Sequence, residues 1–508
     1  MADAIVAHRG QVPQPRNLRE TLGPIATVAE VFSSLDRAMP PTTLNERLAR
    51  MRRITPTASQ SAAASATGPS SASDELSALE RSLLGETGDA LPLKARLERL
   101  ISVATARQRQ PRRANRPLED LVSGRVVENA RGRFLLVEED RSLETLHGAV
   151  PLSRLLAASP RTVAILAGEP DFASFDLSRS VFLDTETTGM AGGTGTAAFL
   201  VGLGFVREGR FVVRQYFMRD YDEEAALLHA LAEDLSGFSA LVTFNGKMFD
   251  VPLLEARFRL NRARFPLAAA AHLDLLHPAR RLWKARLSSC RLVHLEAQLL
   301  GLEREGDVPG EEIPRVYFDF IRGGDAALLA RVFEHNRLDI VSLAALSALA
   351  CEWVEEGRAE EPRDVLSLAR VLERAEDRER SGAEYRRALQ VSRPGLDDSV
   401  RRASLARLAA RAKRGGNVLA AVEYWQQAVD AGELAAFREL AVLHEHYRRD
   451  LGAALEVVER GLASLLEASA TASHLTRDLH HRRERLRRRL AKRARRQTED
   501  TPDAPSRL

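Results

Sequence analysis

The segment Phe182-Leu183-Asp184-Thr185-Glu186-Thr187-Thr188-Gly189 constrains this chain more than any other. Val181, Phe182 and Leu183 are apolar, so the run reads as a buried strand, and alternate residues of a strand share a face. Asp184 and Glu186 therefore project the same way. Two carboxylates so close repel, and they are normally stabilised by a bound cation or by a proton on one of them. Hard divalent cations prefer oxygen donors, and Mg²⁺ is commonly held by one or two carboxylates together with water and substrate phosphate.

The neighbouring sequence supplies a fold around this strand. Phe199–Arg207 and Phe211–Met218 are further strand candidates, joined by the glycine-bearing turn Glu208–Arg210, so the three should run antiparallel. Glu223–Leu235 follows at helical period, Ala240–Phe244 is another buried strand, and Val251–Leu260 is helical again. A three-strand meander followed by α, β, α is the element order of a ribonuclease H-like core.

Two more acids stand out in this region. In Phe244-Asn245-Gly246-Lys247-Met248-Phe249-Asp250-Val251-Pro252, a buried strand ends, a glycine turn follows, and Asp250 opens the next helix. Capping alone would justify an Asp there, but Asn245 and Phe249-Asp250-x-Pro252 form a more specific motif than a cap requires. In Phe333-Glu334-His335-Asn336-Arg337-Leu338-Asp339-Ile340, inside the predicted helix Ala326–Ala350, His335 and Asp339 are four residues apart and share a face. Asp is a poor mid-helix residue, which suggests a reason for Asp339 to be there.

Together the three segments resemble the exonuclease motifs of the DEDD superfamily: Asp-x-Glu, then Asn-x3-Phe-Asp, then a late helical Asp. A closer similarity is to YprB-type ribonuclease H-like proteins, predicted exonucleases with a helical-repeat tail. His272-Leu273-Asp274-Leu275-Leu276-His277 and Asp307-Val308-Pro309-Gly310-Glu311-Glu312-Ile313-Pro314 add to that likeness. It spans Val181–Ala350. The resemblance implies that Asp184, Glu186, Asp250 and Asp339 hold two divalent ions, Mg²⁺ or Mn²⁺. It also implies 3′ to 5′ exonuclease action on nucleic acid, with Thr187, Gly189, Asn245, Phe249 and Asp274 on the substrate side. His335 departs from the pattern. One DEDD branch carries a Tyr general base four residues before the last Asp and the other a His five before, whereas here a His has the tyrosine spacing. It is a candidate base, or else a structural or substrate-contacting residue.

The remaining sequence sets the organisation. At 508 residues more than one folded unit is expected. Residues 1–115 hold an Ala/Ser/Thr-rich stretch, 54–73, and read as largely disordered with short helices at Leu44–Met51 and Glu75–Ala104. Residues 116–179 read as a small β-rich accessory region, 180–352 as the exonuclease domain, 357–497 as helical, and 498–508 as a disordered tail. In the helical part Ser381-x3-Tyr385-x2-Ala388, Ala421-x3-Trp425-x2-Ala428 and Ala454-x3-Val458-x2-Gly461 resemble degenerate tetratricopeptide repeats, a possible seat for a protein partner; an irregular bundle is the alternative. The run Arg482–Arg496 reads as a basic amphipathic helix with Leu475, Leu479, Leu486 and Leu490 along one side.

Several classes are excluded or set aside. Cys290 and Cys351 are far apart and form neither a disulfide framework nor a zinc motif. No apolar stretch reaches membrane-spanning length, so no membrane contact and a cytoplasmic location are expected. Gly192-Gly193-Thr194-Gly195-Thr196 is followed by a strand rather than a helix and is a turn, not a phosphate loop. His272, Asp274 and His277 are too irregularly spaced for a separate metal site. Lys247 and Arg337 could meet phosphates or be solvated. Two rival functions remain, a non-catalytic nucleic-acid-binding adaptor and a structure-specific endonuclease of the same fold.

Overall fold

The structure, a computed structural model, describes residues 116–189, 195–468 and 474–499. The expectations for 1–115, for Gly192–Thr194 and for the end of the tail lie outside these residues.

Seven strands form one mixed sheet in the order β1-β2-β7-β6-β5-β8-β9. They are β1 (Arg125–Asn129), β2 (Gly132–Ser142), β5 (Val181–Thr187), β6 (Ala198–Arg207), β7 (Arg210–Phe217), β8 (Ala240–Thr243) and β9 (Ala271–Asp274); a short pair, β3 (Leu146–His147) and β4 (Val150–Pro151), stands apart. The meander β5-β6-β7 is antiparallel, and β8 and β9 continue it in parallel from β5. Parallel neighbours need a crossover, and the helices that read at period 3.6 supply it. These are α3 (Glu224–Leu235) before β8 and α4 (Asp250–Leu260) after it, numbered after the short α1 (Leu118–Leu121) and α2 (Pro160–Ala167). The β1-β2 hairpin does not stand apart as an accessory piece: β2 pairs with β7 from Leu135 to Ser142 and widens the same sheet.

The helix bearing His335 and Asp339 is longer than its periodicity predicted. Following α5 (Leu276–Trp283), α6 (Leu292–Leu295) and α7 (Ile313–Ile321), α8 runs from Ala326 to Glu356 and ends on the left-handed Gly357. It lies against the meander because β6 carries glycines at alternate positions. A Cβ at Gly202 would come within 2.3 Å of the Asn336 carboxamide, and one at Gly204 within 2.4 Å of Ile340 Cγ2. Positions two apart on a strand and four apart on a helix each share a face. The pair Gly202/Gly204 therefore admits Asn336/Ile340, and His335 and Asp339 are carried to the sheet beside them.

Beyond α8 the described chain is all helix: α9 (Pro362–Arg374), α10 (Arg378–Val391), α11 (Asp398–Arg414), α12 (Val418–Asp430), α13 (Leu434–His446), α14 (Leu451–Glu467) and α15 (His474–Glu499). The expected fold, a ribonuclease H-like α/β core with an all-α C-terminal region, is the one present. The small-large-small triplets lie on α10, α12 and α14 and are buried, and Gly461 lets α14 approach Phe437 of α13. One apolar core runs without a break from Leu143 and Trp283 through α8 to Tyr385 of α10. Among the described residues no helix is long and apolar enough to cross a membrane.

Candidate active site

The site is built from one transverse row of the sheet. Asp184 of β5 pairs with Gly202 of β6, and Gly202 pairs with Gln215 of β7. Over the notch at Gly202, Asn336 of α8 accepts from Gln215 Nε2 at 2.9 Å through Oδ1 and donates from Nδ2 to Asp184 Oδ2 at 2.8 Å. Gln215 also donates to the Phe333 carbonyl at 2.8 Å. Since Gln215 can only donate through Nε2, the orientation of the Asn336 amide follows from the network.

The expected acids come together around this row. Asp250, at the first position of α4, accepts a hydrogen bond from Thr185, the residue between Asp184 and Glu186. On α8, His335 Nε2 lies 3.9 Å from Glu186 Oε1 and 3.7 Å from Asp339 Oδ2. Burial, then the charges of Asp339 and Asp250, pushes the Asp184 carboxyl well above its usual range. Burial, then Asp184 and Asp339, does the same to Glu186. Burial also raises Asp250 to about 6, against the opposing Thr185 hydrogen bond.

Among the described residues, no three His, Cys, Asp or Glu side chains stand together closely enough to hold a metal ion as they are. The donor set nevertheless suits a hard divalent cation, being all carboxylate oxygen, and its mutual repulsion is what such a cation would relieve. Part of that relief comes from Arg304. Its guanidinium is almost fully buried and clamps Glu296, which is wholly buried, through Nε to Oε2 at 2.7 Å and Nη2 to Oε1 at 2.5 Å. It also donates to Asp339 Oδ1 and, at 3.2 Å, to Asp307 Oδ2. The Glu296 bonds and the Asp339 charge hold the guanidinium pKa above its usual value although burial acts the other way.

His335 is oriented from behind. Its Nδ1 contacts Asp307 Oδ1 at 2.7 Å. A carboxylate can only accept, so Nδ1 carries the hydrogen, and Nε2 is the ring nitrogen that faces the acids. Burial would raise Asp307, but the His335 hydrogen bond and charge and Arg304 hold it below the usual carboxylate range.

The remaining candidates divide. Asn245 adopts a left-handed backbone, φ 68°, and its loop is held by Asp274. The buried Asp274 carboxylate accepts from the backbone amides of Asn245 at 2.7 Å, Lys247 at 3.2 Å and Leu276 at 3.2 Å. Asp274 thus shapes the loop from inside. Phe249 and Met248 on the same loop are exposed by 58% and 72%. Thr187 donates to the Gly189 carbonyl at 2.9 Å, just past a register shift in the pairing of β5 with β6. Arg337 pairs with Glu334 and Glu139, and Lys247 reaches Glu169 at 3.4 Å. His272 is occupied by Thr243 Oγ1 at 2.8 Å.

Sequence reasoning missed Gln215, Asn336, Arg304 and Glu296, and gave Asp307 no role. The alternating glycines of β6 signalled a close approach. Nothing in the local pattern announced the Arg304–Glu296 clamp, which depends on how a π-type turn, Glu296–Leu300, is packed.

Comparison with known proteins agrees with this architecture. Residues 181–351 match the family model described as the RNase_H superfamily. A solved structure, the family B DNA polymerase from the hyperthermophilic archaeon Pyrobaculum calidifontis, aligns over 46% of this chain and 29% of its own at 13% identity, with a TM-score of 0.29, too slight a likeness to inform the fold. The uncharacterized protein YprB of Bacillus subtilis (strain 168) is 33% identical over 317 residues, 61% of this chain and 75% of that protein. With three quarters of that relative covered at such identity, and the ribonuclease H-like core in the stretch that carries the acids, this chain belongs to the YprB family.

Proposed function

We propose that this protein is a metal-dependent nuclease that hydrolyses phosphodiester bonds of nucleic acid, acting as a 3′ to 5′ exonuclease of DEDD type. The observation that carries the reading is the meeting of Asp184, Glu186 and Asp250 with α8, where His335 Nε2 lies between Glu186 and Asp339. These four carboxylates would hold Mg²⁺ or Mn²⁺, two ions by analogy with the superfamily. Bound there, such ions supply a lowered pKa for water and charge stabilisation for the departing oxygen.

The chain's own residues contribute the rest. Gln215 and Asn336 hold Asp184 in one rotamer, and Thr185 does the same for Asp250. His335, held by Asp307, offers Nε2 to accept a proton on the side of the ring that faces the acids. The exposed Phe249 ring is suited to stack on a base. The helical pairs after α8 are read as tetratricopeptide-like and as a surface for a protein partner.

One observation favours the adaptor reading: Asp339 is engaged by Arg304. Calorimetric titration with Mn²⁺ separates the two, since a nuclease of this kind binds the ion and the Asp184→Asn protein does not, whereas an adaptor has no need of it. End-labelled linear and closed circular substrates, compared side by side, separate exonuclease from endonuclease; cleavage of the circle sinks the exonuclease reading.

A further inference from the structure

The loop that ends at Asp250 begins at Asn245, and Asn245 also lines a second feature, a cleft of about 470 Å³. Three cations border it. Arg280 stands on the last turn of α5, Lys284 one turn further on, and Arg291 on the loop before α6; all three are exposed. Phe244, Leu276 and Leu292 contribute apolar lining, and Ser288 and Ser289 add hydroxyls.

The charge here is uncompensated. No Asp or Glu lines the cleft, and among the described residues none of the three cations has a carboxylate within salt-bridge distance, although most arginines of the core are paired. Arg286, on the same stretch, is paired with Asp364. Burial holds the Cys290 thiol above its usual range while Lys284 and Arg280 act against it, so both charges bear on one spot of the cleft. Lys284 Nζ donates to the Ser288 carbonyl at 2.6 Å, a neutral partner that leaves its charge in place. Like charges gathered without carboxylate partners repel, and a polyanion relieves that repulsion. The dimensions select among polyanions. A volume of this order suits a ligand-sized segment of chain and not the width of a duplex.

We propose that this cleft binds the phosphodiester backbone of a single nucleic-acid strand, DNA or RNA, whose end lies at the carboxylate cluster. The assignment rests on the nuclease reading for its direction but not for its binding chemistry. Arg280, Lys284 and Arg291 each meet a phosphate, and Asn245 joins the cleft to the loop leading to Asp250.

The test is fluorescence anisotropy of labelled oligo(dT), oligo(U) and a duplex with the full chain in EDTA, over a salt series. Each phosphate contact on a single strand contributes about 0.7 to the slope of log affinity against log salt. The variant Arg280→Gln/Lys284→Gln/Arg291→Gln should therefore lower the slope by about 2 and weaken binding roughly tenfold or more at low salt. The charge-retaining Arg280→Lys/Lys284→Arg/Arg291→Lys variant should keep the slope. An unchanged slope in the glutamine variant, or no single-strand binding by the unmodified protein, overturns the proposal. So does a duplex that binds as tightly and loses as much. If the slope falls as expected but the unmodified protein releases no nucleotides with Mn²⁺, the nuclease reading fails and the cleft stands.

Discussion

Asn336 Nδ2 donates to Asp184 Oδ2 across 2.8 Å, through the notch that Gly202 leaves in the sheet. The bond runs from helix to strand, and Gln215 holds its far end. This network sets the rotamer of the first acid. Gln215→Met, similar in volume but unable to donate, should lower Mn²⁺ affinity and nucleotide release by about 10- to 100-fold while the fold persists. Calorimetry and a turnover assay check it; unchanged affinity would show that Asp184 needs no such support.

Gly204 is a packing requirement of the same interface. A methyl group there meets Ile340 Cγ2 at 2.4 Å and the Phe211 ring at 2.8 Å. Gly204→Ala should destabilise the protein by about 1–3 kcal/mol in urea unfolding. Ile340→Ala removes Cγ2 and should therefore cost less in the Gly204→Ala background than on its own, and a stable single variant would contradict the close approach of α8 to β6.

The Arg304–Glu296 clamp makes a separate demand. Removing one partner of a buried ion pair leaves an uncompensated charge and costs about 3–5 kcal/mol, whereas replacing both with apolar residues can be nearly neutral. Arg304→Met should therefore unfold at markedly lower urea than the Arg304→Met/Glu296→Met variant. Equal midpoints would mean that Glu296 finds another partner.

Asp250 predicts a pH dependence opposite to that of a salt-bridged acid. Its folded value of about 6 lies above its unfolded 3.8, so the folded state keeps a proton that the unfolded chain gives up. The stabilising contribution is present below 3.8 and is lost as pH rises through about 6. In EDTA, Asp250→Asn should melt above the unmodified protein at pH 8, and the gap should shrink at pH 5. Excess Mn²⁺ should raise the melting temperature of the unmodified protein only. A gap independent of pH would refute the assignment.

How much of this was legible depended on whether a residue's role followed from a local period. Asp184 and Glu186 were readable from strand alternation, and His335 with Asp339 from helix spacing. The boundaries of β6, β7, α3 and α4 fell within a residue or two of the apolar pattern. Gln215 looked like one polar position in a strand; its meaning came from Gly202, one strand away. The accessory hairpin was read as separate because strand pairing between β2 and β7 joins residues far apart in sequence. The basic terminal helix shows the same limit. Leu479 and Leu486 are buried as its pattern implied. Arg482, Arg485 and Arg489, however, all converge on the buried Glu445 of α13, so part of the basic run is structural.

The central claim is tested most directly by nucleotide release from labelled single-stranded DNA and RNA with Mg²⁺ or Mn²⁺, comparing the unmodified protein with Asp184→Asn. The account predicts metal-dependent release that the substitution abolishes at an unchanged melting profile. Full activity in the Asp184→Asn protein, or release that persists in EDTA, would contradict it.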